Sequence, residues 1–438
     1  MPNSNEILIY VSALNNRIHF LFRHVFSNMM GIRPILTNDK EAFLQCQTPK
    51  LNYSNERFNT ELYIKPSGLL YEKGIRPILV NIKQINGQIV LFPNVGDSDF
   101  HFDIFSAIFY LLTRYEEYLP YKPDKFGRFQ PTGSIAFDHN FIEEPIVELW
   151  VEELKIFLKQ KFPDFEYITD HKFKYLPTID VDVAFAYRLR NVIFDLGLFT
   201  RDLFTFHLKQ FYQRALAINH IIKDPYDNYD FIEEAVKPYP VKPIFFFLSG
   251  DRSKFDKNIP LNRKTMKSLL KHLHTFAEVG LHPSYASNRK RKTLAFEKNN
   301  LESALEQPVF KTRQHYIKLY FPKTYQNLVK LGFNEDYSMG YAQSSGFRAG
   351  TCTPFHFYDL TRDKESTILI IPFQAMDATF KTYLKLSPPE AEKKLIELYQ
   401  KIKKVNGIFS IIWHNDTFAP TPEGKQWRKV FENLLNLN

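Results

Sequence analysis

Residues 176–182 read LPTIDVD, and they set two carboxylates, Asp180 and Asp182, directly after an apolar run. Acidic residues are depleted in strands, yet the rest of this stretch has strand character. Side chains in a strand alternate faces, so Asp180 and Asp182 would point the same way with only Val181 between them. Two anions that close raise each other's pKa unless a cation lies between them or one holds a proton. The pair therefore asks for a metal, a basic side chain or a shared proton.

Outward from this stretch, strands alternate with helices. Further strands are expected at Pro243–Leu248, Thr367–Ile371 and Ile408–Trp413. MKSLLKHLHTFAEVG carries Met266, Leu269, Leu270, Leu273 and Phe276 at helical spacing, with Gly280 expected as the helix stop. Ser387-Pro388-Pro389-Glu390 is a capping box that opens another helix. Such alternation implies a parallel sheet with crossover helices. Residues 184–240 interrupt it and are expected to be a largely helical insertion. Before a boundary near 163–172, a smaller α+β region is expected over 1–168, followed by the main α/β domain over 169–438. The first region opens with a strand at Glu6–Val11 and a helix around Arg17–Phe26. A second strand is expected at Gln88–Phe92, after a turn at Asn86-Gly87. Asp103 is the expected N-cap of a buried helix through IFSAIFYLLTRYEEYL, and a further helix spans Glu144–Lys161.

In parallel α/β folds, reactive groups gather where strands end. Here those ends carry Asp180 and Asp182, then Ser249 and Asp251, then His282. Arg313 and His315 follow in KTRQHY, Arg348 in GFRAGTC, Asp377 in IPFQAMD, and His414 and Asp416 in IIWHND. A lone Asp after a strand is more often a turn residue, and a lone His more often structural. His272 and His274, on the amphipathic helix, are read that way. The recurrence of Asp, His and Arg at several ends of one domain argues for a site.

The order TIDVD, IFFFLSG, EVGLHPSY, an arginine-bearing loop, IPFQAMD and SIIWHND resembles the polysaccharide deacetylases of the NodB-homology class (carbohydrate esterase family four). Within them it resembles the branch whose aspartate pair reads D-x-D, over about residues 170–438. The resemblance implies an irregular (β/α)7 barrel. The N-terminal region resembles the uncharacterised domain that accompanies such deacetylases in some bacteria.

By the same resemblance Asp180 is the catalytic base, Asp182 a metal ligand and His282 the first of two metal histidines. Ala286 stands where the second would be, and His315 is the expected replacement. Arg313 or Arg348 is the motif arginine, Asp377 belongs to the next motif, and His414 is the general acid. Tyr285 and Trp413 are expected to contact substrate. The implied cofactor is Zn²⁺ or a similar divalent ion, which favours N and O ligands and an open coordination position. The implied substrate is an N-acetylated amino sugar or glycan. A D-x-D glycosyltransferase and a glycan-binding or scaffold protein without catalysis are the competing readings, the second favoured by Ala286.

Composition sets the remaining limits. The chain has 438 residues, 42 Phe, 24 Tyr, only 16 Gly and a net charge of +9, enough charge to favour anionic partners. Basic residues are dispersed and the NRKRK run at 288–292 reads as a solvated turn, so no nucleic-acid partner is expected. Two cysteines, Cys46 and Cys352, exclude a disulfide scaffold and a CxxC metal or redox site. With neither a signal peptide nor an apolar span, the expectation is a cytoplasmic protein, with peripheral membrane association left open.

Overall fold

The computed structural model describes residues 5–437 apart from 59, 86, 95, 167–170 and 190–207. Asn86 of the expected turn, part of the expected boundary and residues 190–207 of the expected insertion lie outside the described residues. The described remainder of that insertion contains helices at Leu208–Ile218 and Tyr229–Val236.

In the N-terminal region β1 (Glu6–Val11), β2 (Arg33–Thr37), β3 (Lys50–Tyr53) and β4 (Leu62–Tyr63) form a parallel sheet in the order β2-β1-β3-β4. This part is α/β in its strand pairing rather than α+β. An antiparallel hairpin follows, β5 (Ile82–Ile85) with β6 (Gln88–Leu91). Asp103 caps the next helix by accepting from the Ser106 backbone N–H. That helix stops at Leu112 instead of running through Leu119, because Arg114 adopts a left-handed φ of 52°. Its buried guanidinium then reaches Glu116 and Glu117.

The larger sheet contains β7 (Lys174–Val181), β8 (Ile244–Leu248), β9 (Glu278–His282), β10 (Lys311–Thr312), β11 (Glu335–Asp336), β12 (Phe355–Asp359), β13 (Lys364–Ile370), β14 (Ala375–Met376) and β15 (Ile408–His414). Its order is β12-β13-β11-β10-β9-β8-β7-β15-β14. Only β12 runs antiparallel, against β13; the other ladders are parallel. As hydrogen-bonded ladders the sheet is open, with β12 and β14 at its edges, so the fold is mixed α/β and the expected closed barrel is not present as a continuous ladder among the described residues. The segment after β13 nevertheless changes partner: the Ile371 N–H donates to the Asp336 carbonyl in β11, and the Gln374 N–H donates to the Ser410 carbonyl in β15.

One expectation fails instructively. The helix Lys264–Phe276 ends before Gly280, which lies inside β9. A Cβ there would sit 2.5 Å from the Phe246 ring and 3.0 Å from the Lys311 carbonyl oxygen. Gly280 is thus required by the close approach of neighbouring strands, not by a helix stop. The Ser387 capping box is present as expected.

The two regions share one hydrophobic core, which runs from Ile7 to Leu435. Polar groups lock it. Arg348 donates from Nε and Nη2 to the two oxygens of Glu117 at 2.8 and 2.5 Å, and Arg114 Nε donates to the same carboxylate at 2.8 Å. Glu148 accepts from the Thr351 hydroxyl and from the Cys352 and Thr353 N–H groups. Gly346, at φ +119°, lets the Ile142 carbonyl lie where a Cβ would be. Among the described residues no helix is long and apolar enough to cross a membrane.

Removing one partner of a buried ion pair leaves the other charge uncompensated, a loss of about 3–5 kcal/mol. Glu117→Gln, which takes the carboxylate from Arg348 and leaves Arg114 with Glu116 alone, should lower the unfolding free energy by that order, read from urea denaturation.

Candidate functional site

Because β7, β9, β10, β14 and β15 are parallel, their C-terminal ends share one rim. In register, Asp180 on β7 is paired with His414 on β15, and His282 ends β9 opposite Leu248. Arg313 and His315 follow β10, and Asp377 follows β14. Asp180, Asp182, His282, His315 and His414 all line one cleft of about 330 Å³, together with Arg128, Phe255, Tyr316 and Tyr383.

Ligand atoms of Asp182, His282 and His315 lie within 4.8 Å of one another. His282 Nε2 is 3.2 Å from Asp182 Oδ1, and His315 Nε2 is 3.5 Å from Asp182 Oδ2. The far nitrogen of each ring is occupied: His282 Nδ1 pairs with the Arg313 carbonyl at 2.6 Å, and His315 Nδ1 with Asp256 Oδ1 at 2.9 Å. Such bonds place the proton on Nδ1 and leave Nε2 as the free donor atom, the usual second-layer support of metal histidines. Asp182 Oδ1 is buried without a hydrogen-bond partner, and two imidazole nitrogens and a carboxylate are a donor set that suits Zn²⁺. The residues present fit a divalent ion. Without an ion, burial would lower the His315 pKa, but Asp182 and Asp256 push it up to about 9, so a cation bound at Nε2 would displace a proton there.

Asp180 is held differently. Arg313, fully buried, donates from Nη1 to Asp180 Oδ1 at 3.1 Å and to the Thr178 hydroxyl at 2.6 Å, and from Nε to the Tyr337 carbonyl at 2.9 Å. His282 Nε2 lies 3.8 Å from Asp180, farther than from Asp182. Asp180 is thus the carboxylate that leans on a guanidinium, and Asp182 the one that faces two imidazoles.

His414 Nδ1 meets Asp377 Oδ1 at 2.6 Å, and the His414 N–H donates to Asp377 Oδ2 at 2.8 Å. The Thr417 hydroxyl donates to the same carboxylate. Burial alone would lower the His414 pKa; Asp377 overrides it, with Asp182 and Asp180 adding to the effect, and holds the ring well above the ordinary histidine value. Asp377 is thus the carboxylate that orients the His414 ring.

Other expected residues stand elsewhere. Arg348 is not at the cleft: its guanidinium is consumed by Glu117 and the Gly340 carbonyl. Trp413 is wholly buried, packed on Phe418 and Phe431. As the strand neighbour of His414 it faces the opposite side of the sheet, so it does not reach a substrate in the cleft. The Tyr285 hydroxyl donates to the Phe126 carbonyl at 3.0 Å rather than standing free. Ser249 donates to the Glu297 carbonyl, Asp251 is exposed, and His272 pairs with Glu233 on the surface. Two residues at the site had no signal in the sequence. Asp256 lies in a loop, and Arg128 comes from the N-terminal region.

A family model described as "Family of unknown function (DUF7033)" matches residues 7–163. No curated protein matches the chain. Among solved structures, a Mycobacterium smegmatis protein assigned as a polysaccharide deacetylase is similar at 13% identity and TM-score 0.41, over 62% of this chain and 87% of that one. A mutant of a CE4 family pseudoenzyme with restored enzymatic activity is similar at 14% identity and TM-score 0.32, over 61% and 65%. The Xyl-CE4 domain of a multidomain xylanase from the Trinervitermes trinervoides hindgut metagenome is similar at 10% identity and TM-score 0.30, over 61% and 85%.

Outer partners of metal histidines are worth about 10–100-fold in affinity. Asp256→Ala should weaken Zn²⁺ binding to that extent, measured by competition with a chromophoric chelator.

Proposed function

We propose that this chain is a metal-dependent hydrolase that removes N-acetyl groups from an amino sugar of a glycan. The observation that carries this reading is the convergence of Asp182, His282 and His315, with each ring fixed through Nδ1, beside a separately held Asp180. The motif order of the sequence supports the same chemistry. The barrel belongs to the reading as well: residues 371–374 carry the chain from the side of β11 to the side of β15, and we read that run as the stave that closes seven strands into a ring.

Asp182, His282 and His315 would hold the ion. A divalent cation there, Zn²⁺ in our reading, would polarise the acetamide carbonyl and acidify a water. Asp180 then receives the proton of the attacking water, and its bond from Arg313 keeps the carboxylate aimed at the cleft. His414, protonated at Nε2, gives its proton to the departing amine. Asp377 fixes the ring through Nδ1 and stabilises the imidazolium, so the acid is already charged when substrate arrives. Tyr316, Tyr383 and Phe255 give the cleft aromatic walls against which a sugar ring can pack. His315 supplies the ligand that Ala286 lacks, and this favours catalysis over the binding-protein reading. A glycosyltransferase would instead require a nucleotide-sugar donor.

Acetate release from N-acetylated oligosaccharides tests the proposal. Asp180→Asn and His414→Ala should each reduce turnover by about 10²–10⁴-fold while bound Zn²⁺ stays near the parental level. Asp182→Asn should lose the metal. Equal turnover in the parent, Asp180→Asn and His414→Ala would refute these roles.

A pH profile tests the acid. Asp377 raises the His414 pKa, so the alkaline limb of kcat/KM in the parent should lie above the ordinary histidine range. Asp377→Asn removes the strongest of the raising charges, leaves only Asp182 and Asp180 to oppose burial, and should move the alkaline limb to lower pH.

A further inference from the structure

The N-terminal region enters the cleft through one loop. Arg128, buried, sets Nε against Asp124 Oδ2 at 2.7 Å. Its Nη1 donates to the Tyr316 carbonyl at 3.1 Å, and its Nη2 donates to the Tyr383 hydroxyl at 3.1 Å. Beside it the Phe126 ring packs 4.9 Å from the Tyr316 ring, and the Phe126 carbonyl accepts from Tyr285. Gln343 in turn donates to Asp124 Oδ2, which fixes the carboxylate that seats Arg128.

What this loop grips is an unfavourable turn. Tyr316 has φ +61° and Ile317 φ +55°, two consecutive non-glycine residues in the left-handed region, the second of them β-branched. Such backbone is held only where surroundings over-determine it. It follows His315 directly, and β10, the strand before it, is two residues long. Within its own region the segment is tied upstream by the His315 N–H to the Pro283 carbonyl at 3.3 Å and the Gln314 N–H to Ser338 Oγ at 2.9 Å, at the ring by Asp256, and downstream by the Asn288 amide to the Lys318 carbonyl. The Tyr316 carbonyl is the point that Arg128 holds.

We propose that the N-terminal region serves as a clamp on the metal site. Arg128, seated by Asp124, pins the turn at Tyr316 and thereby aims His315 Nε2 at Asp182 and His282. Arg128 is a positioning residue in this scheme and touches no ion. The proposal rests on reading Asp182, His282 and His315 as the metal site, and it gives the N-terminal region a part in that site's affinity.

The experiment is Zn²⁺ titration into metal-stripped full-length protein by chelator competition, with the Co²⁺ visible spectrum as a report of coordination geometry. Parent, Arg128→Ala, Arg128→Lys and Thr351→Val are compared, each with its thermal unfolding midpoint. Thr351→Val loosens the contact with Glu148 between the same two regions. Both Arg128 variants should bind Zn²⁺ about 10-fold more weakly or worse, with an altered Co²⁺ band. Thr351→Val should lose thermal stability yet keep parental affinity and spectrum. Arg128→Lys keeps the charge beside Asp124 without the forked donor and serves if Arg128→Ala does not fold. Parental affinity in a folded Arg128 variant would overturn the clamp, and so would an equal loss in Thr351→Val. A parent that binds no Zn²⁺ would overturn the metal-site reading itself, and the clamp with it.

Discussion

Asp180 and Asp182 leave the same face of one strand end, and the surrounding groups are arranged to hold two negative charges that close together. The division of labour runs through Arg313. Its guanidinium neutralises Asp180, while its own carbonyl fixes His282, which faces Asp182. A single residue therefore sets the relative positions of Asp180 and Asp182. Burial makes this arrangement strict, because a guanidinium taken out of water must keep its partners. The three rings over Arg313, from Phe246, Tyr337 and Phe373, exclude water from it.

What could be read in the sequence was local. Period-two alternation puts Asp180 and Asp182 on one face, and the polar residues that terminate buried parallel strands stand out against apolar runs. His282, His315, Asp377 and His414 are visible for that reason. What could not be read depends on distant partners. Trp413 is as aromatic as any sugar-stacking residue, and only its strand parity turns it into core. Arg348 follows a loop motif, yet its carboxylate, Glu117, lies 231 residues earlier. Gly280 satisfies the local grammar of a helix stop, whereas its real constraint is a phenylalanine on the neighbouring strand. Asp256 has no periodic signal at all; its role exists only once His315 is beside it.

The same logic explains why the N-terminal region was silent in sequence. Its links to the rest of the chain include long-range contacts of Glu117, Asp124, Arg128 and Glu148, which form no spaced motif, and Arg128 alone of these lines the cleft. Their effect is to merge two stretches of chain into one core and one cleft wall. A C-terminal half defined by motifs alone would leave out Arg128, which lines its cleft.

The pairing of β7 with β15 also has a bearing on how the molecule is made. Thr178 on β7 donates to the Ile411 carbonyl, 233 residues away. On a ribosome, the strand that bears Asp180 can gain β8 early, but its other edge stays unpaired until residues 408–414 have emerged. Exposed edges of apolar strands recruit foreign strands, and contacts of such high sequence separation form slowly. Leu176 and Ile179 therefore spend most of synthesis beside an open edge. The late arrival of β15 closes that edge and delivers His414 in one event, so the period of aggregation risk ends when His414 joins the cleft.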